Sequence, residues 1–188
     1  MAMANEEARW VAEARDGNAT AFRRLVDAHA SALFRVCARI TGDKALAEDA
    51  VQEAFLNAHR HLRDFDGRAA FSTWLHRIAV NAALEQMRRR KRNETELPEG
   101  DEAEDFFSAS VEDAPGPDRH ARSAEIRRDI ETELKRMSTI ERTAFVLRHH
   151  EGQSLEEISE VLSLSVNASK QAIFRAVRKL RAVLEPVG

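Results

Sequence analysis

Apolar positions recur at helical steps through most of the chain. Phe22, Leu25, Val26, His29, Leu33, Val36 and Ile40 follow one another mostly at intervals of three and four, which places them on one face of a helix. Thr41-Gly42-Asp43 interrupts that pattern, and Asp43 is placed to cap a second helix. The inner face of this second helix is Ala47, Ala50, Val51, Ala54, Phe55 and Ala58. A loop is expected around Asp64-Phe65-Asp66-Gly67. A third helix starts near Phe71, turns Trp74, Leu75, Ile78, Ala79 and Ala82 inward, and ends in the basic run Arg88-Arg89-Arg90-Lys91-Arg92.

A second helical block follows. One helix carries Ile126, Ile130, Leu134 and Met137 on its apolar side. Two capping-box patterns then mark two further helix starts, Ser138-Thr139-Ile140-Glu141 and Ser154-Leu155-Glu156-Glu157. The first of these helices is expected to stop near Gly152. The second is short, about Leu155 to Val161, and Leu162-Ser163-Leu164 turns it into a last helix from Val166 to about Leu184, with Ser165 as cap. Ile158, Val161, Leu164, Ile173, Val177 and Leu180 would close a small core between the two, which makes residues 154–184 a helix-turn-helix. The turn needs a left-handed residue, and Ser163 sits there at a cost on the order of 1 kcal/mol. No segment has the period of a strand, so the fold class is all-α.

Composition supports this: 7 Gly and 4 Pro in 188 residues are few for a loop-rich fold. Charge adds the organisation that periodicity alone misses. The net charge of −3 is the residue of three blocks. Residues 1–92 hold 16 Lys+Arg against 12 Asp+Glu, residues 93–118 hold 10 acids and no base, and residues 119–188 hold 13 bases against 10 acids. The acidic stretch also contains Pro98, Gly100, Pro115, Gly116 and Pro117. Self-repelling charge with turn formers predicts an extended linker. The expected architecture is therefore two small helical domains, 1–92 and 119–188, joined by a flexible acidic linker, 93–118. No apolar run approaches the ~20 residues of a membrane span, and the first fifteen residues lack the apolar core of a signal peptide. A cytoplasmic protein without direct membrane insertion is expected. Cys37 is the only cysteine, so an internal disulfide is excluded, and its place on an apolar helix face predicts a buried thiol.

The last helix has a consistent outer face: Asn167, Lys170, Gln171, Phe174, Arg175, Arg178 and Arg181. A helix fits the DNA major groove, where Lys170 and Arg175 suit guanine acceptors or phosphates, Gln171 suits adenine, and Phe174 can meet a thymine methyl. Backbone N–H groups from Ser165 to Ala168 can bind phosphate. A solvated basic face would share the charges, but it has no use for an aromatic in its middle. The second helix of the first block also has a second face: Asp49, Gln52, Glu53 and Leu56 lie together, away from the core stripe. Acids around one outward Leu suit a protein partner better than DNA, although a solvated face reads the same way. Downstream, Phe65-Asp66-Gly67-Arg68-Ala69-Ala70-Phe71-Ser72-Thr73-Trp74-Leu75 mixes aromatics, small polar residues and Arg around a loop. An extruded base needs such stacking platforms and such a pocket. The other reading is a loop entering the core, with Phe71 and Trp74 buried.

With these motifs in order, the sequence resembles the sigma factors of the extracytoplasmic-function group, over about residues 20–92 and 120–184. Ala47-Glu48-Asp49-x-Val51-Gln52-Glu53-x-Phe55 is similar to that family's polymerase-binding helix. Phe71-x-Thr73-Trp74-Leu75-x-Arg77-Ile78-Ala79-x-Asn81 is similar to its promoter-melting segment, and residues 138–184 to its C-terminal DNA-reading domain. The resemblance implies a protein that carries core RNA polymerase to promoter DNA. Asp49, Gln52, Glu53 and Leu56 would bind the polymerase. Phe65, Arg68, Phe71, Ser72 and Thr73 would capture a flipped base of the single-stranded minus-ten element, and Arg77, Asn81 and the following basic run would hold the neighbouring strand. Asn167, Lys170, Gln171, Phe174, Arg175 and Arg178 would read the double-stranded minus-35 element. The linker would thread the polymerase's RNA channel, with Phe106-Phe107 supporting a bound state, and an anti-sigma factor would mask the protein until it is needed. Asp66 and Arg68 reverse signs the family often shows. Ala168, Ser169 and Ala172 replace its usual Thr, Val/Ala and Arg, and are expected to set a promoter sequence of the protein's own.

Two other classes compete. A helix-turn-helix regulator that acts without polymerase explains residues 154–184 but not 47–56 or the aromatic loop. An enzyme needs a nucleophile or metal signature. None of the seven His residues lies in a His-Glu-x-x-His motif, and the adjacent His149 and His150 point ~100° apart on a helix. No enzyme activity, cofactor or metal is expected.

Overall fold

A computed structural model describes residues 2–96 and 117–184. They form eight α-helices and one short 3-10 turn, with no strand among the described residues. Two compact units divide them, one holding the first four helices and one the last four. The linker residues 97–116, and with them Phe106-Phe107, lie outside the described residues.

The first unit opens with a helix that periodicity did not announce, α1 (Ala2–Arg15). It buries Val11 and Ala14 and packs on α2 (Ala19–Thr41). Gly17, at φ +94°, turns the chain between them, and Asn18 caps α2 by accepting the Thr20 and Ala21 amides at 3.0 and 3.1 Å. The α2 stripe is inside as expected: Leu25, Leu33, Val36 and Ile40 are buried, and so is the Cys37 thiol. Gly42 ends the helix in the left-handed region (φ +67°), and Asp43 caps α3 (Lys44–His61) by accepting the Leu46 amide at 3.0 Å.

The inner stripe of α3 is made of alanines. Ala47, Ala50, Ala54 and Ala58 are all 0% exposed, so the helix lies close against both α2 and α4 (Phe71–Glu96). Leu75, Ala79, Val80 and Ala83 of α4 complete that core. Between α3 and α4 run the 3-10 turn Leu62–Asp64 and the loop 65–70. Helix α4 continues past the basic run to Glu96, four residues into the stretch read as linker.

In the second unit α5 (Pro117–Arg136) starts on a proline, whose missing N–H is no loss at a helix start. Leu134 and Met137 pack with Ala176 and Leu180, with Ile130 and Phe145 beside them, whereas Ile126 is exposed. Helix α6 (Thr139–His149) is followed by a turn through Gly152 at φ +66°. Helices α7 (Leu155–Leu162) and α8 (Val166–Leu184) form the helix-turn-helix, with Ser163 left-handed at φ +53° and Ser165 Oγ accepting the Ala168 amide at 3.1 Å.

Candidate functional site

The outer face of α8 is the most clearly built surface. Asn167, Lys170, Gln171, Phe174, Arg175 and Arg178 all point away from the core, and Phe174 is 61% exposed. The inner face differs from expectation. Ser169, Ala172 and Ala176 are completely buried, whereas Ile173, Val177 and Leu164 are only half-buried. The reason is size: α8 packs on α5, α6 and α7 at once, and small side chains admit that approach. Ser169 and Ala172 were expected to tune promoter choice. Both lie inside the unit, so neither presents a group to DNA; Ala168 is half-buried at the edge.

The two capping boxes part company here. At α7 the box closes in both directions: Glu157 N donates to Ser154 Oγ at 3.1 Å, and Ser154 N donates to Glu157 Oε2 at 2.8 Å. At α6 the Glu141 amide donates to Ser138 Oγ at 3.3 Å, but the Glu141 carboxylate turns to α8 instead. Arg175 Nε donates to one oxygen at 2.8 Å and Lys179 Nζ to the other at 2.6 Å. Burial of Glu141 raises its carboxyl pKa, but the Lys179 and Arg175 hydrogen bonds outweigh that and hold it below the ordinary carboxylate value. Nothing in the sequence marked this contact, because its partners lie 34 and 38 residues apart.

In the first unit the outer face of α3 has the expected character. Asp49 and Gln52 are exposed, Leu56 is 50% exposed, and Glu53 is half-buried. Glu53 and Asn81 come together on one groove of about 440 Å³ between α3 and α4, with Asn57, His61, Glu85 and Arg89 also on its walls. The residues nominated for polymerase and for the DNA strand thus adjoin.

In the aromatic loop the rings turn inward. Phe65 and Phe71, both nominated to capture a base, are buried. With half-buried Trp74 they form a cluster whose ring centroids are 5.1 to 5.8 Å apart. Apolar rings at the entry to α4 gain more from packing on each other than from standing in water. The rings of His29 and Phe71 are steeply inclined with centroids 5.6 Å apart, and His29 Nε2 lies 2.6 Å from Glu7 Oε1 on α1. Arg15 of α1 donates to the Arg63 carbonyl at 3.3 Å. Helix α1 thereby touches the 3-10 turn before the loop directly and the Phe71 end only through His29 of α2. Asp66, Gly67, Arg68, Ala69 and Ala70 are exposed. Asp66 accepts the Arg68 amide at 3.0 Å and pairs with its guanidinium at 3.1 Å around Gly67, which has φ +73°. The two signs thus close the turn on itself. Ser72 and Thr73 are half-exposed at the start of α4, and Arg77 and Asn81 continue along its outside. Further on, Arg88, Arg89 and Arg92 converge on Glu85 at 3.7, 3.3 and 3.3 Å, and the Arg92 hydrogen bond is the main cause that holds the Glu85 carboxyl below its usual range. The basic run is therefore partly neutralised from within.

Among the described residues no group of three or more His, Cys, Asp and Glu is gathered to hold a metal, and no helix is long and apolar enough to cross a membrane.

Comparison with known proteins adds two family matches, Sigma-70 region 2 over residues 25–93 and Sigma-70 region 4 over residues 127–180. The ECF RNA polymerase sigma factor SigW of Bacillus subtilis is 32% identical over 93% of this chain and 94% of its own length. The RNA polymerase sigma-H factor of Pseudomonas aeruginosa is 32% identical over 91% of this chain and 90% of its own. Among solved structures, CnrH in complex with the cytosolic domain of CnrY superposes with a TM-score of 0.62 at 28% identity, covering 97% of this chain and 99% of that one.

Proposed function

The chain belongs to the sigma-70 family, in its extracytoplasmic-function group of RNA polymerase sigma factors, and from that premise we propose how its two units divide the work. It is a sigma factor, acting with RNA polymerase in transcription initiation. In our reading the first unit docks on core polymerase through Asp49, Gln52, Glu53 and Leu56, with Leu56 as the apolar anchor among acids. The second unit lays α8 in the major groove of the minus-35 element, with Lys170, Gln171, Phe174 and Arg175 at the base edges and Asn167 and Arg178 at the flanks. The observation that carries this reading is Phe174. A phenylalanine left 61% exposed forgoes part of the ~1.5–3 kcal/mol that full burial of a large apolar side chain gives, and a thymine methyl recovers some of it.

The minus-ten reading changes form. Phe65 and Phe71 act as the floor of the site, not as its stacking surface, and Arg68, Ser72 and Thr73 form its rim. Arg77 and Asn81 hold the adjoining strand. Trapping the base offsets the few kcal/mol of unstacking. The acidic stretch serves as tether between the units. CnrH is bound to the cytosolic domain of another protein, CnrY, which supports a second protein partner for this chain; we read that partner as an anti-sigma factor that masks the outer face of α3.

Run-off transcription with purified core polymerase on fragments of the host genome tests the function. Discrete start sites that depend on the protein are expected, and no stimulation over core enzyme alone would refute it. Glu53→Lys combined with Gln52→Ala is expected to lower affinity for core polymerase at least tenfold; unchanged affinity would remove the assigned face.

A further inference from the structure

We propose that Glu141 is a positioning residue of the DNA-reading helix: it fixes Arg175 for base contact and withholds Lys179 from the phosphates, so that α8 responds to sequence more than to charge. The inference rests on reading α8 as the minus-35 helix.

Glu141 occupies the third position of α6, where its counterpart Glu157 folds back on its own cap. The carboxylate of Glu141 reaches across to α8 instead. It is 6% exposed and gives one oxygen to each cation. Arg175 and Lys179 are one helical turn apart, so a single acid can hold both. The two cations differ in where they stand. Arg175 borders the outer face beside Gln171 and Phe174, and its side chain keeps 47% exposure. Held through Nε, its guanidinium plane is set before DNA arrives. That removes rotamer freedom otherwise lost on binding and leaves a planar fork suited to guanine O6 and N7. Lys179 lies off that face, is already paired, and contributes little to neutralising phosphates.

Counter-ion release makes this measurable, because each phosphate neutralised steepens the dependence of log K on log salt by ~0.9. A purely structural role for Glu141 would weaken all DNA binding without altering that slope or the preference between sequences.

The test uses holoenzyme assembled from core polymerase and the full chain. It compares a duplex taken from upstream of run-off start sites with a scrambled duplex of equal length, across about 50–300 mM salt, over which the Debye length falls from roughly 14 to roughly 6 Å. Glu141→Gln is expected to bind the scrambled duplex about tenfold more tightly at low salt, with a slope steeper by roughly 1 to 2, and to lose about tenfold in preference for the upstream duplex. Glu141→Asp should restore part of that preference. Unchanged slope and preference in folded Glu141→Gln would overturn the proposal. A second variant does not depend on how Glu141→Gln folds. Lys179→Gln is expected to leave the slope unchanged, whereas a slope reduced by ~0.9 would show that Lys179 reaches phosphate and would overturn its sequestration. Wild-type holoenzyme indifferent to the upstream duplex would defeat the reading of α8 and this inference with it. Preference in the wild type, retained in Glu141→Gln, defeats this inference alone.

Discussion

Phe71 stands 5% exposed at the head of α4, and Phe174 stands 61% exposed midway along α8. Both were candidates for contact with DNA. Phe71 is packed against Phe65, Trp74 and His29. The outer face of α8 carries cations and amides around Phe174. The difference teaches that an aromatic beside a functional segment serves the site in one of two ways. It either shapes the ground on which polar groups stand, or it meets the ligand. In the first unit the rings lie inside, and our proposal leaves Arg68, Ser72, Thr73, Arg77 and Asn81 for DNA. In the second unit small residues fill the interior and the ring is left outside.

Truncating each phenylalanine separates the two cases. Phe71→Ala should cost about 3–5 kcal/mol, the usual loss for a buried phenylalanine. Trp10 and Trp74 are the only two tryptophans and both lie in the first unit, so urea unfolding followed by their fluorescence reports that unit alone. A loss under about 1 kcal/mol would mean that the ring is not held where it stands. Phe174→Ala should do the reverse. Stability should change by less than about 0.5 kcal/mol, as at an ordinary surface position, while affinity of the holoenzyme for the upstream duplex falls roughly tenfold, about 1.4 kcal/mol. Binding equal to the wild type would leave the exposed ring without a ligand.

How far the sequence announced this arrangement follows the same division. Where a helix had a broad stripe and a cap, as with the α2 stripe ending at Gly42-Asp43 or Ser154 opening α7, period and capping chemistry located both the element and its faces. The left-handed Ser163 and the outer face of α8 were legible for the same reason. Helix α1 was not: its few buried positions, among them Val11 and Ala14, make no sustained stripe, and it owes its place to packing on α2. A loop has no period, so nothing in the order of residues 65–74 decided whether its rings face in or out. The inner face of α8 went to Ser169, Ala172 and Ala176 because close approach selects for size, which a hydrophobic pattern does not record. The Glu141 contact with Arg175 and Lys179 is tertiary, and a local capping pattern suggested a different use for that carboxylate.

Ser169 turns the comparison toward the interior. Its hydroxyl is buried with no hydrogen-bond partner, a condition that costs about 1–3 kcal/mol. Ser169→Ala also favours helix by a few tenths of a kcal/mol. The second unit should therefore gain about 1 kcal/mol, seen as a later transition in helical circular dichroism, with promoter preference unchanged. A shift in preference would return Ser169 to the reading face despite its burial.

Ser163 gives the smallest effect, and its sign is the informative part. At φ +53° a non-glycine residue costs about 1–2 kcal/mol, whereas a glycine loses roughly 0.5–1 kcal/mol more chain entropy on folding. The two terms partly cancel, and Ser163→Gly should stabilise the second unit by roughly 0.5–1 kcal/mol. The Ser163 and Leu164 amides reach back to the Glu160 and Ser159 carbonyls at 3.3 and 2.9 Å, and those backbone bonds survive the change, so the angle between α7 and α8 should persist. DNA preference should then match the wild type. A gain in stability accompanied by weaker discrimination would mean that the serine's stiffness, and not only the turn's shape, aims α8 at its target.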